Sequence, residues 1–258
     1  MTAYHGGKHK HGKKIAEIIN TIYNHFQNNI SGYIEPFCGM CGVYRHVVQL
    51  LPKTLNYIAS DNHKSLILMW KALQNGWIPP KDCSIKRYNE LKQICEPSPE
   101  RGYIGFTFGY GGQFFCGPHR RVYGIKHCDN SNNIHNIAQT MNHVKFINKD
   151  YSYYTLSGGV KNNIIYCDPP YSDKKISKYY NDNLTLQSFD SDKFWEWCRQ
   201  MSKYNLVLIT EYSAPTDFIS IYKFNSERFR NKNPNTKIES IYIYDKYLIN
   251  SDINLFNF

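Results

Sequence analysis

The 258-residue sequence predicts an α/β fold, with a mostly parallel sheet covered by helices on both faces and a closing antiparallel strand. Three observations predict it. Short apolar runs that read as strands alternate with segments whose apolar residues recur at helical spacing. Two of those runs, Tyr57-Ile58-Ala59-Ser60-Asp61 and Ile164-Ile165-Tyr166-Cys167 followed by Asp168, end on an acid, at the edge where open α/β sheets bind ligands. The stretch from Ile238 to Leu248 alternates as a half-buried antiparallel strand does.

In chain order, a basic, glycine-containing start (His5-Gly6-Gly7-Lys8 onward) leads into a helix marked by Ile15, Ile18, Ile19, Ile22, Tyr23 and Phe26. Gly32-Tyr33-Ile34-Glu35 is a short strand entering the turn Pro36-Phe37-Cys38-Gly39-Met40-Cys41-Gly42. A helix follows through Val43, Val47, Leu50 and Leu51, and another runs from Lys64 to Asn75 after the second strand. Between residues 79 and 142 apolar runs shorten, while Gly, Pro and basic residues cluster. This predicts an inserted region of helices and loops within a domain formed by residues 1–78 and 143–258. Lys145-Phe146-Ile147 returns to the sheet. Phe194, Trp195, Trp197, Cys198 and Met201 form an amphipathic helix, and Leu206-Val207-Leu208-Ile209 is a further buried strand.

Composition bounds the function. No stretch approaches the about 20 apolar residues that cross a bilayer, and the first residues lack a signal peptide's apolar core, so an intracellular protein without a membrane partner is expected. Eight scattered cysteines do not form a disulfide framework. A net charge of +10 and 16% aromatic residues suit a polyanionic partner with bases to stack on, although the same charge also serves plain solubility.

The most informative motif is Asp168-Pro169-Pro170-Tyr171. Each part has a use if the ligand is a nucleobase amine. The carboxylate accepts one N–H, the prolines hold carbonyl acceptors without adding a competing N–H, and the tyrosine offers a flat stacking face. Asp-Pro-Pro alone would read as a proline turn after a strand. The first strand–turn–helix is the second half of the site. A small residue, Gly39, lets backbone approach a ligand, Phe37 flanks it, and Asp61 ends the next strand about 20 residues on, where an acid accepts ribose hydroxyls. Glu35 beside this turn would repel a pyrophosphate but could face a positive amino group or sulfonium. That favours S-adenosylmethionine over a dinucleotide.

In their order these residues resemble the Dam-type family of adenine-specific DNA methyltransferases, including its phage and viral branch. The resemblance rests on Gly6-Gly7-Lys8, Glu35-Pro36-Phe37 with its glycine turn, Asp61, the block from Gly105-Phe106 to Gly117, and Asp168-Pro169-Pro170-Tyr171. It continues through Phe189-Asp190 with Phe194-Trp195, and through Ile209 to Pro215 with Asp217-Phe218. It implies a Rossmann-like S-adenosylmethionine-dependent methyltransferase fold whose insert recognises the target. It also implies methyl transfer to the N6 amine of a flipped-out adenine, with S-adenosylhomocysteine as product. Carried over by position, Tyr4 and Lys8 touch the cofactor, Asp61 holds its ribose, Asp150 and Tyr151 border its adenine, and Asp168 lies between cofactor and base. The partner is double-stranded DNA, and a cognate restriction endonuclease is a further candidate. Expected DNA contacts are His119, Arg120, Arg121 and Lys126 in the insert, with Lys174, Lys175 and Lys178 beyond the tetrad. Two departures stand out. Cys41 occupies the second glycine place of the family's Phe-x-Gly-x-Gly turn, with Gly42 displaced by one. His63 replaces an Asn common two places after the ribose acid.

Other readings compete. Cys38-x-x-Cys41 has zinc-ligand spacing but no second pair at a usual distance. Cys116, His119, His127 and Cys128 could make a four-ligand set, yet no metal is expected. A binding protein that keeps the fold without turnover, and a methyltransferase acting on RNA or on cytosine N4, are the remaining alternatives.

Overall fold

The computed structural model describes residues 7–119, 122, 131–171, 179–224 and 238–244. The elements run α1 (Gly12–Phe26), β1 (Gly32–Glu35), α2 (Tyr44–Leu50), β2 (Asn56–Asp61) and α3 (Lys64–Gln74), then α4 (Ile85–Gln93), α5 (Pro99–Thr107) and α6 (Ser131–Thr140). They continue through β3 (Lys145–Asn148), β4 (Asn163–Cys167), the two-residue strands β5 (Tyr179–Tyr180) and β6 (Leu186–Gln187), and α7 (Ser191–Met201). The described part closes with β7 (Leu206–Glu211), β8 (Phe218–Phe224) and β9 (Glu239–Tyr244).

Seven strands form one sheet in the order β3-β2-β1-β4-β7-β9-β8. The first five are mutually parallel, and β9 is antiparallel to both β7 and β8. β1 and β4 are buried at every residue, as central strands covered on both faces must be. Alternate strand residues feed two cores. Tyr33, Tyr57, Ala59, Phe146, Ile164 and Tyr166 join α1 to α6 on one face. Ile34, Ile165, Cys167, Val207 and Ile209 join Phe194, Trp195, Cys198 and Met201 of α7 on the other. The chain steps outward from β1 to β3 and returns to β4, so the order reverses between β1 and β4. A ligand crevice belongs beyond their carboxyl ends.

The predicted closing antiparallel strand is present as β9, antiparallel to both its neighbours. β9 is sandwiched, and β8, which the sequence pattern did not suggest, is the outer strand. A register shift between Ser220 and Tyr222 breaks β8's alternation. Phe218, Ile221 and Phe224 are its buried residues, a spacing of three that does not look like a strand. The helices of the 79–142 region share the core of the main sheet through Tyr88, Leu91, Tyr103, Ile104, Ile134 and Ala138. α4 and α5 start on serine caps, Ser84 accepting from Arg87 N and Ser98 from Arg101 N, with Pro99 in the first turn of α5. Among the described residues no helix is long and apolar enough to cross a membrane.

The N-terminal arm is pinned to the turn after β1. Gly12 N donates to Lys8 O at 2.6 Å, and a Cβ on Gly12 would lie 2.1 Å from the Gly42 carbonyl oxygen. Gly12→Ala is therefore expected to push α1 off the turn and destabilise the protein by about 1–3 kcal/mol. Thermal unfolding should show a melting point lowered by roughly 3–10 °C. An unchanged melting point would mean that the close approach is not required.

Candidate active site

The carboxyl ends of β1, β2 and β4 bring Glu35, Asp61 and Asp168 to one edge of the sheet. The β1–α2 turn is tied to β2. Cys38 N donates to Ser60 O at 2.9 Å, Gly39 N to Asp61 Oδ2 at 3.1 Å, and Trp70 Nε1 to Gly39 O at 2.9 Å. Two residues of this turn have positive φ, Gly39 at 47° and Cys41 at 53°. The bend thus passes through Cys41 rather than through Gly42, at roughly 1–2 kcal/mol for a residue with a Cβ. Gly42 serves close approach instead, since a Cβ there would lie 3.2 Å from Lys8 N.

Asp61 also accepts from His63 N at 3.0 Å. Burial raises its carboxyl to about 6, against the opposing pull of the two backbone donors. Glu35 is buried, and Tyr33 donates its hydroxyl to Oε1 at 2.5 Å. Burial pushes the Glu35 carboxyl well above the usual carboxylate range, which the Tyr33 bond opposes and the charge of Asp168 reinforces. Among the described residues no cation pairs with it. Phe37 stacks on Tyr151 at 5.6 Å, and both pack against Phe189 and Phe194. Asp150 is exposed and caps the short helix Tyr151–Tyr153 by accepting from Ser152 N at 3.0 Å.

The tetrad is organised around one oxygen. Asp168 Oδ1 accepts from Lys8 Nζ at 2.5 Å, from the Tyr171 hydroxyl at 3.1 Å and from Thr210 Oγ1 at 3.3 Å. Among the described residues Oδ2 has no donor. Thr210, fully buried on β7, also bonds the Tyr166 hydroxyl at 2.9 Å and Cys167 O at 3.2 Å, so its position is fixed. Lys8 pairs as well with Glu239 Oε1 at 2.8 Å, contacts the Tyr171 hydroxyl, and lies 4.7 Å from that ring's centre. The Tyr171 hydroxyl also bonds Glu239, and the Tyr171 ring meets Tyr212 edge-on at 4.8 Å. Burial disfavours charge on Lys8, but Asp168 and Glu239 outweigh it and its pKa rises. Burial raises Asp168, with Lys8 opposing. Burial would raise Glu239 too, but Lys8 prevails and lowers it.

Lys8, remote in sequence, thus joins Asp168 and Tyr171 in one cluster. Pro169 is buried behind them. Sequence reasoning missed Thr210 and Glu239. Thr210 is a single hydroxyl in an apolar strand, and Glu239 follows the last basic stretch at the start of an alternating one. Of the expected DNA contacts, His119 is described, and its backbone N–H holds Phe108 O at 2.8 Å. Tyr4, Arg120, Arg121, Lys126, Lys174, Lys175 and Lys178 lie outside the described residues, as do His127 and Cys128. Cys38 and Cys41 are buried in the turn, and among the described residues no three His, Cys, Asp or Glu side chains form a group that could hold a metal ion.

A further buried cluster joins the strand region beyond the tetrad to α3 and α5. Asp182 accepts from Lys64 N at 2.7 Å and Ser65 N at 3.1 Å, bonds the Ser65 hydroxyl, and takes Arg101 Nη1 at 3.4 Å. His63 caps α3, Nδ1 accepting from Leu66 N at 3.4 Å, and its ring meets Phe114 edge-on at 4.2 Å. An Asn at this position could cap the same N–H, so the His departure preserves the local job.

The family model described as "D12 class N6 adenine-specific DNA methyltransferase" matches residues 4–106 and 117–238. No curated protein matches the sequence. Among solved structures, the rRNA methyltransferase aviRa from Streptomyces viridochromogenes superposes with a TM-score of 0.35 at 11% identity, over 88% of this chain and 84% of that one.

His63 gives the site a pH signature. Burial lowers its pKa to about 4, outweighing the nearby Asp182 carboxylate. Between about 6.5 and 4 the unfolded chain takes up a proton that the folded chain resists, so stability falls as the pH drops through that window. His63→Asn keeps a capping side chain and removes the titration. Urea denaturation from pH 7 to 4 should show a shallower loss in the variant, by up to about 3 kcal/mol at pH 4. Equal pH slopes would contradict this reading.

Proposed function

The chain belongs to the D12 class N6 adenine-specific DNA methyltransferase family, and from that premise we propose that it transfers a methyl group from S-adenosylmethionine to the exocyclic N6 of an adenine extruded from double-stranded DNA. One observation carries the proposal. Asp168 Oδ1 is engaged by Lys8, by Thr210 and by the Tyr171 hydroxyl, whose one proton it shares with Glu239, while Oδ2 is without a donor among the described residues, on a strand end next to the Pro169 carbonyl.

The residues on the cofactor side fit S-adenosylmethionine. A buried carboxyl without a cationic partner among the described residues, Glu35, and a second acid, Asp61, flank a positive-φ glycine turn. Two carboxyls suit a ligand that is positively charged and carries ribose hydroxyls, and they oppose a pyrophosphate. Glu35 would face the positive end, Asp61 the ribose, and Phe37 and Tyr151 the adenine side. When bound, this cofactor supplies an electrophilic methyl group on a sulfonium.

The chain's own residues do the rest. Adenine N6 is a poor nucleophile because its lone pair is delocalised into the ring. Asp168 Oδ2 would accept one N–H and Pro169 O the other, favouring a pyramidal nitrogen with its lone pair directed away from both acceptors. As the nitrogen becomes positive, the fixed carboxylate stabilises it without reorganising, and the nitrogen then gives up one proton to solvent to leave neutral N6-methyladenine. Orientation supplies much of the remaining rate. Rotating the base out of the duplex costs a few kcal/mol, and the Tyr171 ring would stack on it. We assign target recognition to the 79–142 region, where Tyr110 is 70% exposed on a turn with Gly111 and Gly112 at positive φ. An exposed ring on a stiff turn suits stacking against bases. The basic residues already named there and beyond the tetrad would neutralise phosphates.

Two outcomes are expected. DNA from cells expressing the wild type should carry N6-methyladenine in a short fixed context, detected by modification-sensitive sequencing, and DNA from cells expressing Asp168→Ala should carry none. Absence of the mark in both, with both proteins well expressed, would contradict the assignment. In the second, cofactor affinity should rise with pH and level off above about 6, because ribose hydroxyls donate to the ionised form of Asp61. Below that pH the loss is at most about tenfold per unit for this one proton. Calorimetric titration with Asp61→Asn should give weaker binding with a flatter pH profile, and an unaltered profile would remove Asp61 from the cofactor site.

A further inference from the structure

We propose that Glu239, at the start of β9, is a positioning residue for methyl transfer: it shares the Lys8 ammonium with Asp168 and anchors the Tyr171 hydroxyl, so the acceptor carboxylate keeps net negative character while its orientation stays fixed. The inference rests on the reading of Asp168 as the acceptor of the base amine.

The argument is one of charge and geometry. Lys8 is 6% exposed, and its ammonium lies 2.5 Å from Asp168 and 2.8 Å from Glu239. A one-to-one Lys8–Asp168 pair would be neutral overall. Such a pair would hold the carboxylate in place but drain the electron density that has to stabilise a nitrogen turning positive. With Glu239 present, two carboxylates face one ammonium, and the cluster carries a net charge of about −1 opposite a developing positive centre. Tyr171 has one proton and two carboxylate neighbours, Asp168 Oδ1 and Glu239 Oε1. When it donates to Glu239, Asp168 loses one donor to Oδ1 but keeps Lys8 and Thr210, so the orientation survives.

Glu239 is well placed for this. It begins a strand paired on both sides, Ser240 facing Glu211 of β7 while Glu239 itself faces Phe224 of β8. Among the described residues the titratable group of His11 also faces Glu239, and Asp168 has Glu35 nearby. The opposite directions of the two carboxyl shifts agree with the arrangement, Asp168 raised in part by Glu239 and Glu239 lowered by Lys8. A purely structural ion pair would not need the shared hydroxyl or the second carboxylate, and removing one charge from a buried triad usually destabilises the fold without regard to chemistry.

The test is steady-state methyl transfer with purified wild type, Glu239→Gln and Glu239→Asp, using unmethylated duplex DNA and S-adenosylmethionine, combined with a carbon-13 carboxyl titration of Asp168 by NMR. Glu239→Gln keeps the shape and the acceptor oxygen but removes the charge. It should lower kcat by about 10- to 100-fold with KM for both substrates within about threefold. The acid limb of its kcat profile should move to lower pH, in step with a lowered Asp168 titration, because the charge that raised it is gone. Glu239→Asp should recover part of kcat. Unchanged kcat, or a loss confined to KM or to the melting point, overturns the proposal, as does an unmoved Asp168 titration. If the wild type transfers no methyl group, the assigned reaction itself falls and takes this role with it. A normally active wild type with an indifferent Glu239→Gln rejects Glu239 alone.

Discussion

The buried contact between the Lys8 ammonium and Asp168 Oδ1 is the interaction on which the rest of the site depends. It ties the N-terminal arm to the end of β4, 160 residues away, and sets which carboxylate oxygen is left for a ligand. Burying a lone carboxylate would be costly, and the ammonium offsets that only because further donors and a second acid complete the cluster. Thr210 from β7, Tyr171 from the tetrad and Glu239 from β9 each contribute one bond, so four separate segments converge on the carboxyl end of the sheet. The adjacency of β4, β7 and β9 in the sheet is what brings the last three together.

The β1–α2 turn follows a different logic. It carries strain at Cys41, where a glycine would be relaxed, and the strain is held by bonds from Cys38, Gly39 and Trp70 to neighbouring backbone and to Asp61. Glu35 and Asp61 are carboxyls kept poorly solvated without nearby cations among the described residues, which suits the positively charged, hydroxyl-bearing ligand proposed above. At the end of β4, by contrast, Asp168 shares the single Lys8 ammonium with Glu239. In the proposed reading the first region takes the cation of the methyl donor and the second the base amine.

Much of the architecture was legible because burial on both faces writes itself as continuous apolar runs. β1, β2, β4 and β7 were found that way, and α1, α3 and α7 through helical spacing. β8 escaped because its register shift replaces alternation with a spacing of three, while β9 was legible as a closing antiparallel strand through its alternation. The tetrad and Asp61 were readable because each is an acid at the end of an apolar run. Thr210 and Glu239 were not, since their importance comes from pairing across strands that are remote in sequence, and no local pattern records a cross-sheet hydrogen bond. Likewise, Cys41 and His63 looked like departures in a linear comparison. In space Cys41 is a residue held at positive φ, and His63 is a helix cap standing in for Asn.

The central claim concerns which oxygen meets the base, and a crystal structure with S-adenosylhomocysteine and a short adenine-containing duplex tests it most directly. The account predicts the extruded adenine N6 within hydrogen-bonding distance of Asp168 Oδ2 and Pro169 O, with Lys8 and Thr210 still on Oδ1. An adenine amine bonded to Oδ1 in place of Lys8, or a base seated away from Asp168 altogether, would contradict it.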